Sequence, residues 1–232
     1  MSKPAVSIAE PCTIAIKDSD QHFPVNRIFC VGRNYAAHSI EMGDNPDRDP
    51  PFFFCKPADT VLSGNSVELA YPPRTSELHY EVEMVIGLKE DCVNVSAEQA
   101  LKLVFGAAVG IEFTRRDLQN TAKKQGRPWD MGKGFDGSAV IGEMTVFDEQ
   151  SLPQQGALSL QVNGEYRQQC DLSDLIWSIS ETIAELSTYL TLRAGDVIFT
   201  GTPDGVGPVV VGDQLFAQCA GLSPLKAKII SA

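Results

Sequence analysis

Two carboxylates lie two residues apart in a stretch that is otherwise mostly apolar. Glu81 and Glu83 belong to residues 78–88, whose first half alternates strictly between apolar and polar side chains. Side chains two apart on a strand point to the same face, with their Cα atoms about 6.6 Å apart. Neighbouring carboxylates repel each other and are costly to bury, so a hard cation such as Mg²⁺, Mn²⁺ or Ca²⁺ would stabilise them. The alternative, which this pattern alone favours, is the solvated face of an edge strand.

A third acidic residue strengthens the metal hypothesis. Glu112 interrupts the apolar run of residues 105–113. Such an acid either faces water at a strand end or has a partner inside the protein. Three carboxylates that leave positions open for water or substrate are typical of a substrate-binding Mg²⁺ site.

Three further residues could transfer protons or supply positive charge. His38 and Glu41 are three apart in a segment with a helical pattern, so they share a helix face, and a carboxylate beside an imidazole is a general-base arrangement. Their alternative is an ordinary surface pair. Lys133 lies between two glycines, which let the backbone approach a ligand closely. It could stabilise an enolate or a carboxylate, and its alternative is a surface turn.

Composition excludes several classes of partner and site. The net charge is −11 over 232 residues, and the basic run Lys123-Lys124 with Arg127 indicates a solvated helix face, so we expect no nucleic acid and no membrane partner. The six cysteines form no C-x-x-C pair, which predicts free thiols without a zinc site or disulfides. With no signal peptide and no long apolar run evident, a cytoplasmic location is the default expectation.

The order of predicted elements favours a strand-dominated α+β fold without regular βα alternation. We predict one domain over residues 1–232, with residues 1–20 loosely attached. Asn163-Gly164 predicts a tight hairpin. The loop 201–207 lacks a P-loop ending, so nucleotide binding is not expected. The predicted strands cover residues 25–31, 52–55, 78–88, 105–113, 196–200, 209–217 and 225–230, and the predicted helices cover residues 34–42, 96–103, 115–125 and 174–190.

Five short runs occur in a fixed order along the chain. The runs are Cys30-Val31-Gly32-Arg33-Asn34-Tyr35 leading to His38 and Glu41, Leu78-His79-Tyr80-Glu81-Val82-Glu83, Thr114-Arg115-Arg116-Asp117-Leu118-Gln119, Gly126-Arg127-Pro128-Trp129 before Lys133, and Thr200-Gly201-Thr202-Pro203. Together they resemble the fumarylacetoacetate hydrolase superfamily. The resemblance covers residues 26–217, and within the superfamily it is strongest to the small acylpyruvate hydrolases, including the bacterial fumarylpyruvate hydrolases.

The resemblance implies a β-roll fold, a homodimer, and Mg²⁺ or Mn²⁺ held by three carboxylates. Glu81 and Glu83 match the first two ligands. Glu112 stands where the family usually has aspartate, so its longer side chain must fold back or the metal must shift. His79 shares the face of the two glutamates and is expected to support the metal site without being a ligand.

The resemblance also implies the reaction, which is hydrolysis of a carbon–carbon bond in a 2-oxo acid of the acylpyruvate type, with fumarylpyruvate as the expected substrate. His38 and Glu41 match the water-activating pair on a lid helix, and Lys133 matches an active-site lysine. The expected substrate-binding residues are Arg33, Arg116, Gln119 and Thr202.

Three other functions remain open at this point. The same scaffold could decarboxylate oxaloacetate, which needs no attacking water. It could also act as a hydratase or isomerase of a 2-oxo acid. The third alternative, suggested by Glu112, is a protein that binds a metal and an acid without turnover.

Overall fold

Strands dominate the architecture of the protein. The computed structural model describes residues 5–7, 10–41 and 49–232. Its strands are β1 (Thr13–Ala15), β2 (His22–Pro24), β3 (Ile28–Gly32), β4 (Phe52–Lys56), β5 (Val61–Ser63), β6 (Ser66–Ala70), β7 (Leu78–Tyr80), β8 (Val82–Leu88), β9 (Val104–Glu112), β10 (Thr114–Arg115), β11 (Ala139–Ile141), β12 (Thr145–Val146), β13 (Ala157–Val162), β14 (Glu165–Asp171), β15 (Val197–Phe199), β16 (Gly207–Val209), β17 (Gln214–Cys219) and β18 (Leu225–Ile230). Its α-helices are α1 (Ala36–Glu41), α2 (Ala97–Ala100), α3 (Arg116–Gln125), α4 (Asp130–Lys133) and α5 (Ile179–Tyr189), with 3-10 turns at Ala58–Thr60, Leu101–Leu103 and Leu172–Asp174. The predicted strand-dominated α+β class is confirmed.

Two sheets contain most of the strands. The eight-stranded sheet has the order β4-β3-β15-β8-β9-β11-β5, with β12 paired to β9, and the five-stranded sheet has the order β14-β13-β17-β18-β6. A three-stranded sheet, β10-β7-β16, and the pair β1-β2 complete the arrangement. Pairing is mixed, because β15 with β3, β11 with β5 and β18 with β6 are parallel among mostly antiparallel neighbours.

The acidic residues lie where two central strands meet. Strands β8 and β9 run antiparallel, and Glu83 lies opposite Gly110 in their register. Just beyond this pairing the Glu112 N–H donates to the carbonyl of Glu81 at 2.8 Å. Strand β8 is buried along its whole length, as expected for a central strand covered on both faces. The register therefore brings three carboxylates to one end of the strand pair.

The predicted strand over residues 78–88 is interrupted at Glu81. Strand β7 pairs with β10 and β16, whereas β8 pairs with β15 and β9 in a different sheet. Every residue from 80 to 88 is buried, so the polar side chains that alternate with apolar ones here lie inside the protein. The alternative of a solvated edge face is excluded, since Glu81 is 4% and Glu83 2% exposed.

Other element boundaries differ for local reasons. The helix predicted over residues 174–190 begins at Ile179, because Ser178 forms a capping box with Glu181. The strand predicted over residues 209–217 is divided between β16 and β17, since the Val210 N–H donates to the Asp213 carboxylate in an intervening turn. The hairpin at Asn163-Gly164 is confirmed, with both residues at positive φ between β13 and β14.

The N-terminal part of the chain contributes to the core where it is described. Ile14 and Ile16 are buried, and β1 pairs with β2. Helix α1 begins at Ala36, two residues later than predicted, and its predicted end at residue 42 lies outside the described residues. In the part of the chain that is described, no helix has both the length and the apolar composition to cross a membrane. The single-domain assignment stays a prediction.

Candidate metal and substrate site

The carboxylates of Glu81, Glu83 and Glu112 form one buried cluster. One oxygen from each lies within 4.8 Å of the others, and the three residues are at most 4% exposed. Mg²⁺ and Mn²⁺ prefer oxygen ligands, and at about 2.1 Å from Mg²⁺ these oxygens are roughly 3 to 4 Å apart. Small side-chain movements would therefore let all three bind one ion. The donor set fits a hard divalent cation.

Glu112 reaches the cluster despite its extra methylene. Its Oε1 lies 3.0 Å from the ammonium nitrogen of Lys56, and its Oε2 lies 2.7 Å from that of Lys133. The hydroxyl of Thr114 also donates to Oε1 at 3.3 Å. These contacts hold the longer side chain among the other carboxylates, so its length does not remove it from the ligand set.

Three buried cations accompany the carboxylates. Lys133 also donates to Glu81 Oε2 at 2.9 Å, and the Arg116 guanidinium contacts the other oxygen of Glu81. Lys56, Lys133 and Arg116 are each at most 5% exposed. With all groups ionised, the three positive charges balance the three carboxylates. A divalent cation would leave a positive excess, which an acidic substrate would offset.

The carboxyl groups differ in pKa although they are adjacent. Burial alone would raise the pKa of Glu81, but Lys133 and Arg116 outweigh it and hold that pKa well below its usual value. Burial, with the nearby charges of Glu112 and Glu81, raises the pKa of Glu83 well above its usual value. Positive charge thus favours the ionised form of Glu81, and a bound divalent cation would favour the ionised form of Glu83 in the same way.

Gly201 holds Glu83 through its backbone. Its N–H donates to the Glu83 carboxylate at 2.5 Å. Its φ is +107°, and an added Cβ would lie 2.6 Å from the Cβ of Asn34. We expect Gly201→Ala to lower the free energy of unfolding, measured by denaturant titration, by about 1–3 kcal/mol through backbone strain and further through the overlap with Asn34.

Gly212 provides the matched control for this substitution. Its φ is +101°, and a Cβ there would meet nothing within 4 Å. Gly212→Ala therefore introduces the strain without the overlap. Equal losses of stability in the two variants would contradict a role for the close approach of Gly201 to Asn34.

The His38 and Glu41 pair predicted from the sequence is assembled in the structure. His38 Nδ1 lies 3.3 Å from Glu41 Oε2. The other Glu41 oxygen accepts the backbone N–H of Gly205 at 3.0 Å, which anchors the carboxylate to the loop after β15. His38 is buried and lines the cavity, whereas Glu41 is exposed and reaches it only through His38. A carboxylate on Nδ1 favours the orientation in which Nε2 serves as a base.

One cavity brings most of the predicted site residues together. The predicted residues on its wall are Arg33, His38, Glu81, Glu83, Glu112, Arg116, Gln119, Lys133 and Thr202. His79 is not part of this wall. Burial, together with the positive charge of Arg116, lowers the pKa of His79 to about 4, and among the described residues its Nδ1 has no hydrogen-bond partner. Its supporting role stays a prediction.

Several residues of the site were missed from the sequence. Lys56 ends the apolar run of residues 52–55, and it carried the same signal as Glu112, a charge inside an apolar strand. Lys123 and Asn120 line the cavity, and Lys123 is exposed as the predicted solvated helix face requires. The aromatic residues Phe52, Phe54 and Trp129 also line it, with Trp129 5.5 and 6.2 Å from the two phenylalanine ring centres.

Comparisons with known proteins add independent information. The family described as fumarylacetoacetate (FAA) hydrolase, C-terminal, matches residues 27–230. A fumarylpyruvate hydrolase from Ralstonia sp is 42% identical over 190 residues, which cover 81% of this chain and 98% of that protein. Oxaloacetate tautomerase YcgM from Escherichia coli (strain K12) is 41% identical over 194 residues, covering 83% and 88%. The crystal structure of fumarylpyruvate hydrolase from Pseudomonas aeruginosa in complex with Mn²⁺ and pyruvate has a TM-score of 0.96 at 46% identity, covering 99% of this chain and 100% of that one.

Proposed function

Because this chain belongs to the fumarylacetoacetate hydrolase family, we propose that it hydrolyses a carbon–carbon bond in fumarylpyruvate, releasing fumarate and pyruvate. Membership confirms the resemblance inferred from the five sequence runs, and the structural neighbour confirms the β-roll architecture expected from it. One observation carries the proposal: the three buried carboxylates share a cavity with His38, whose Nδ1 is held by Glu41.

The side chains of the cavity account for each part of such a reaction. His38 takes a proton from the water that attacks the distal ketone. The water oxygen bonds to the ketone carbon and becomes part of the new fumarate carboxylate. The bond to the pyruvate unit then breaks, and its electron pair remains on that unit, where the Lys133 ammonium stabilises the negative charge. The proton taken by His38 returns to that unit to give pyruvate. Gln119 and Thr202 offer hydrogen bonds to the acid substrate. A divalent cation at the carboxylates would polarise the substrate oxygens when bound.

The identity of the cation is part of the proposal. Oxygen-only ligation suits both Mg²⁺ and Mn²⁺, and we propose Mg²⁺ with Mn²⁺ as a substitute. The similar fumarylpyruvate hydrolase that was crystallised with Mn²⁺ and pyruvate supports a divalent cation here. We also propose that two copies of the chain form a homodimer. We propose further that the enzyme acts in the breakdown of aromatic compounds.

A second candidate function is tautomerisation of oxaloacetate. The observation that favours it is the oxaloacetate tautomerase, whose identity to this chain is one percentage point below that of the fumarylpyruvate hydrolase. Tautomerisation moves a proton between carbon and oxygen and needs no attacking water. Both reactions act on 2-oxo acids, so the same cavity can serve either one, and only a direct assay separates them.

We expect the purified protein to consume fumarylpyruvate only when a divalent cation is present. The measurement is the loss of the substrate's ultraviolet absorbance with Mg²⁺, with Mn²⁺ and with chelator, together with quantification of fumarate and pyruvate. Chelated enzyme that regains activity on adding metal controls for inactivation. Oxaloacetate tautomerisation without release of fumarate would replace the first candidate with the second.

A further inference from the structure

We propose that Lys123, at the mouth of the cavity, binds the distal carboxylate of the substrate and so selects an acylpyruvate that ends in a second acid group. This inference rests on the proposed function, because fumarylpyruvate carries such a carboxylate at the end of its acyl chain. The sequence had favoured a solvated helix face for this lysine.

Helix α3 presents one polar stripe to the cavity. Arg116, Gln119, Asn120 and Lys123 are spaced at i, i+3, i+4 and i+7, which places them on one side of the helix. All four line the cavity. Arg116 and Gln119 are buried, whereas Asn120 and Lys123 are exposed. The stripe therefore runs from the floor of the cavity, where Arg116 contacts Glu81, to its mouth.

The length of this stripe matches a seven-carbon diacid. Lys123 follows Arg116 by seven positions in the helix, which amounts to about 10 Å along the helix axis. The two carboxyl carbons of fumarylpyruvate are six bonds apart, or about 7.5 Å when extended, since three backbone bonds span 3.8 Å. With the 2-oxo acid end at the buried cations, the distal carboxylate comes within reach of the flexible lysine side chain. The carboxyl groups of oxaloacetate are only three bonds apart and cannot reach both ends.

Positive charge at the mouth of the cavity would help an acidic protein to attract an anionic substrate. The chain has a net charge of −11, so a dianionic substrate needs local positive charge to be attracted. Lys123 adds positive charge at the entrance, where it lines the cavity and is exposed, while Lys56, Lys133 and Arg116 contact the carboxylates at the floor. Lys124, the next residue on the helix, is exposed but is not part of the cavity wall.

The test compares two acids of equal length that the enzyme cannot hydrolyse, because neither has a second ketone. 2-Oxoheptanedioate ends in a carboxylate and 2-oxoheptanoate ends in a methyl group. Calorimetric titration of the Mn²⁺-loaded wild-type protein is expected to show about two- to fivefold tighter binding of the diacid, the range of an exposed ion pair. Lys123→Met should abolish this preference, whereas Lys124→Met, with the same loss of charge, should retain it.

A kinetic measurement completes the test and distinguishes failure of the Lys123 inference from failure of the proposed function. Lys123→Met should raise KM for fumarylpyruvate while leaving KM for acetylpyruvate unchanged. If the wild-type protein hydrolyses neither compound, the proposed function fails, but the binding comparison still tests Lys123. Equal binding of the two acids by the wild-type protein, no binding of either, or a preference that survives in Lys123→Met would overturn the inference.

Discussion

Replacing His38 by alanine is expected to lower the turnover of fumarylpyruvate by on the order of 10² to 10⁴, because the attacking water then loses its general base. The loss should appear in kcat more than in KM, since His38 acts on water and not on the bound acid. The measurement is the ultraviolet assay at saturating substrate and metal. The thermal shift produced by Mn²⁺ serves as the control for an intact metal site.

Two comparisons make this prediction specific. Glu41→Gln should lower turnover less than His38→Ala does, because it removes the group that orients the imidazole and leaves the base in place. Oxaloacetate decarboxylation, the alternative that needs no attacking water, should be reduced less than hydrolysis in His38→Ala. Unchanged hydrolysis in that variant would remove His38 from the mechanism.

The buried strands could be predicted because their residues are mostly apolar, and apolar segments are usually buried. Residues 105–113 are an apolar run, and the corresponding strand β9 is almost completely buried between β8 and β11. The hairpin at Asn163-Gly164 was predictable because few residues other than asparagine and glycine adopt positive φ readily. Such local signals do not depend on which segments lie next to them in the fold.

The interruption at Glu81 could not be read from the same kind of signal. Alternation continues without change through residues 78–84, yet the chain passes there from one sheet to another. The burial of Glu81 depends on α3 and α4, which bring in Arg116 and Lys133 from 35 and 52 residues away. A pattern within one strand carries no information about such partners, so it favoured a solvated face.

Lys123 and Lys124 are a second case in which a local sequence pattern does not identify the residue that lies at the site. Lys123 and Lys124 are adjacent and identical in type, so composition treats them alike, but a helix turns by about 100° per residue and only the first of them lines the cavity. Counting from Arg116 along the helix would have distinguished the two. That count requires knowing beforehand that Arg116 faces the site, which the family resemblance did supply.

Replacing Lys133 by methionine is expected to destabilise the metal-free protein by about 3–5 kcal/mol, because it breaks two buried ion pairs and, among the described residues, leaves Glu81 with Arg116 alone and Glu112 with Lys56 alone. The Lys133 ammonium lies 2.9 Å from a Glu81 oxygen and 2.7 Å from a Glu112 oxygen. Such a loss corresponds to a fall in melting temperature of about 6–20 °C for a chain of this size. Mn²⁺ should raise the melting temperature more in this variant than in the wild-type protein, since one competing cation is gone. Lys124→Met is the surface control.

The pH dependence of the stability lost in Lys133→Met distinguishes an electrostatic role of Lys133 from a packing role. Methionine fills nearly the same volume as the lysine stem, so packing changes little and should not vary with pH. Without Lys133, the folded-state pKa values of Glu81 and Glu112 rise, and the folded protein binds more protons than the unfolded chain. Stability of the variant must then fall as pH rises above the usual carboxyl pKa. The difference between wild type and variant should accordingly be small near pH 4 and largest near neutral pH, and a difference that is constant with pH would contradict an electrostatic role for Lys133.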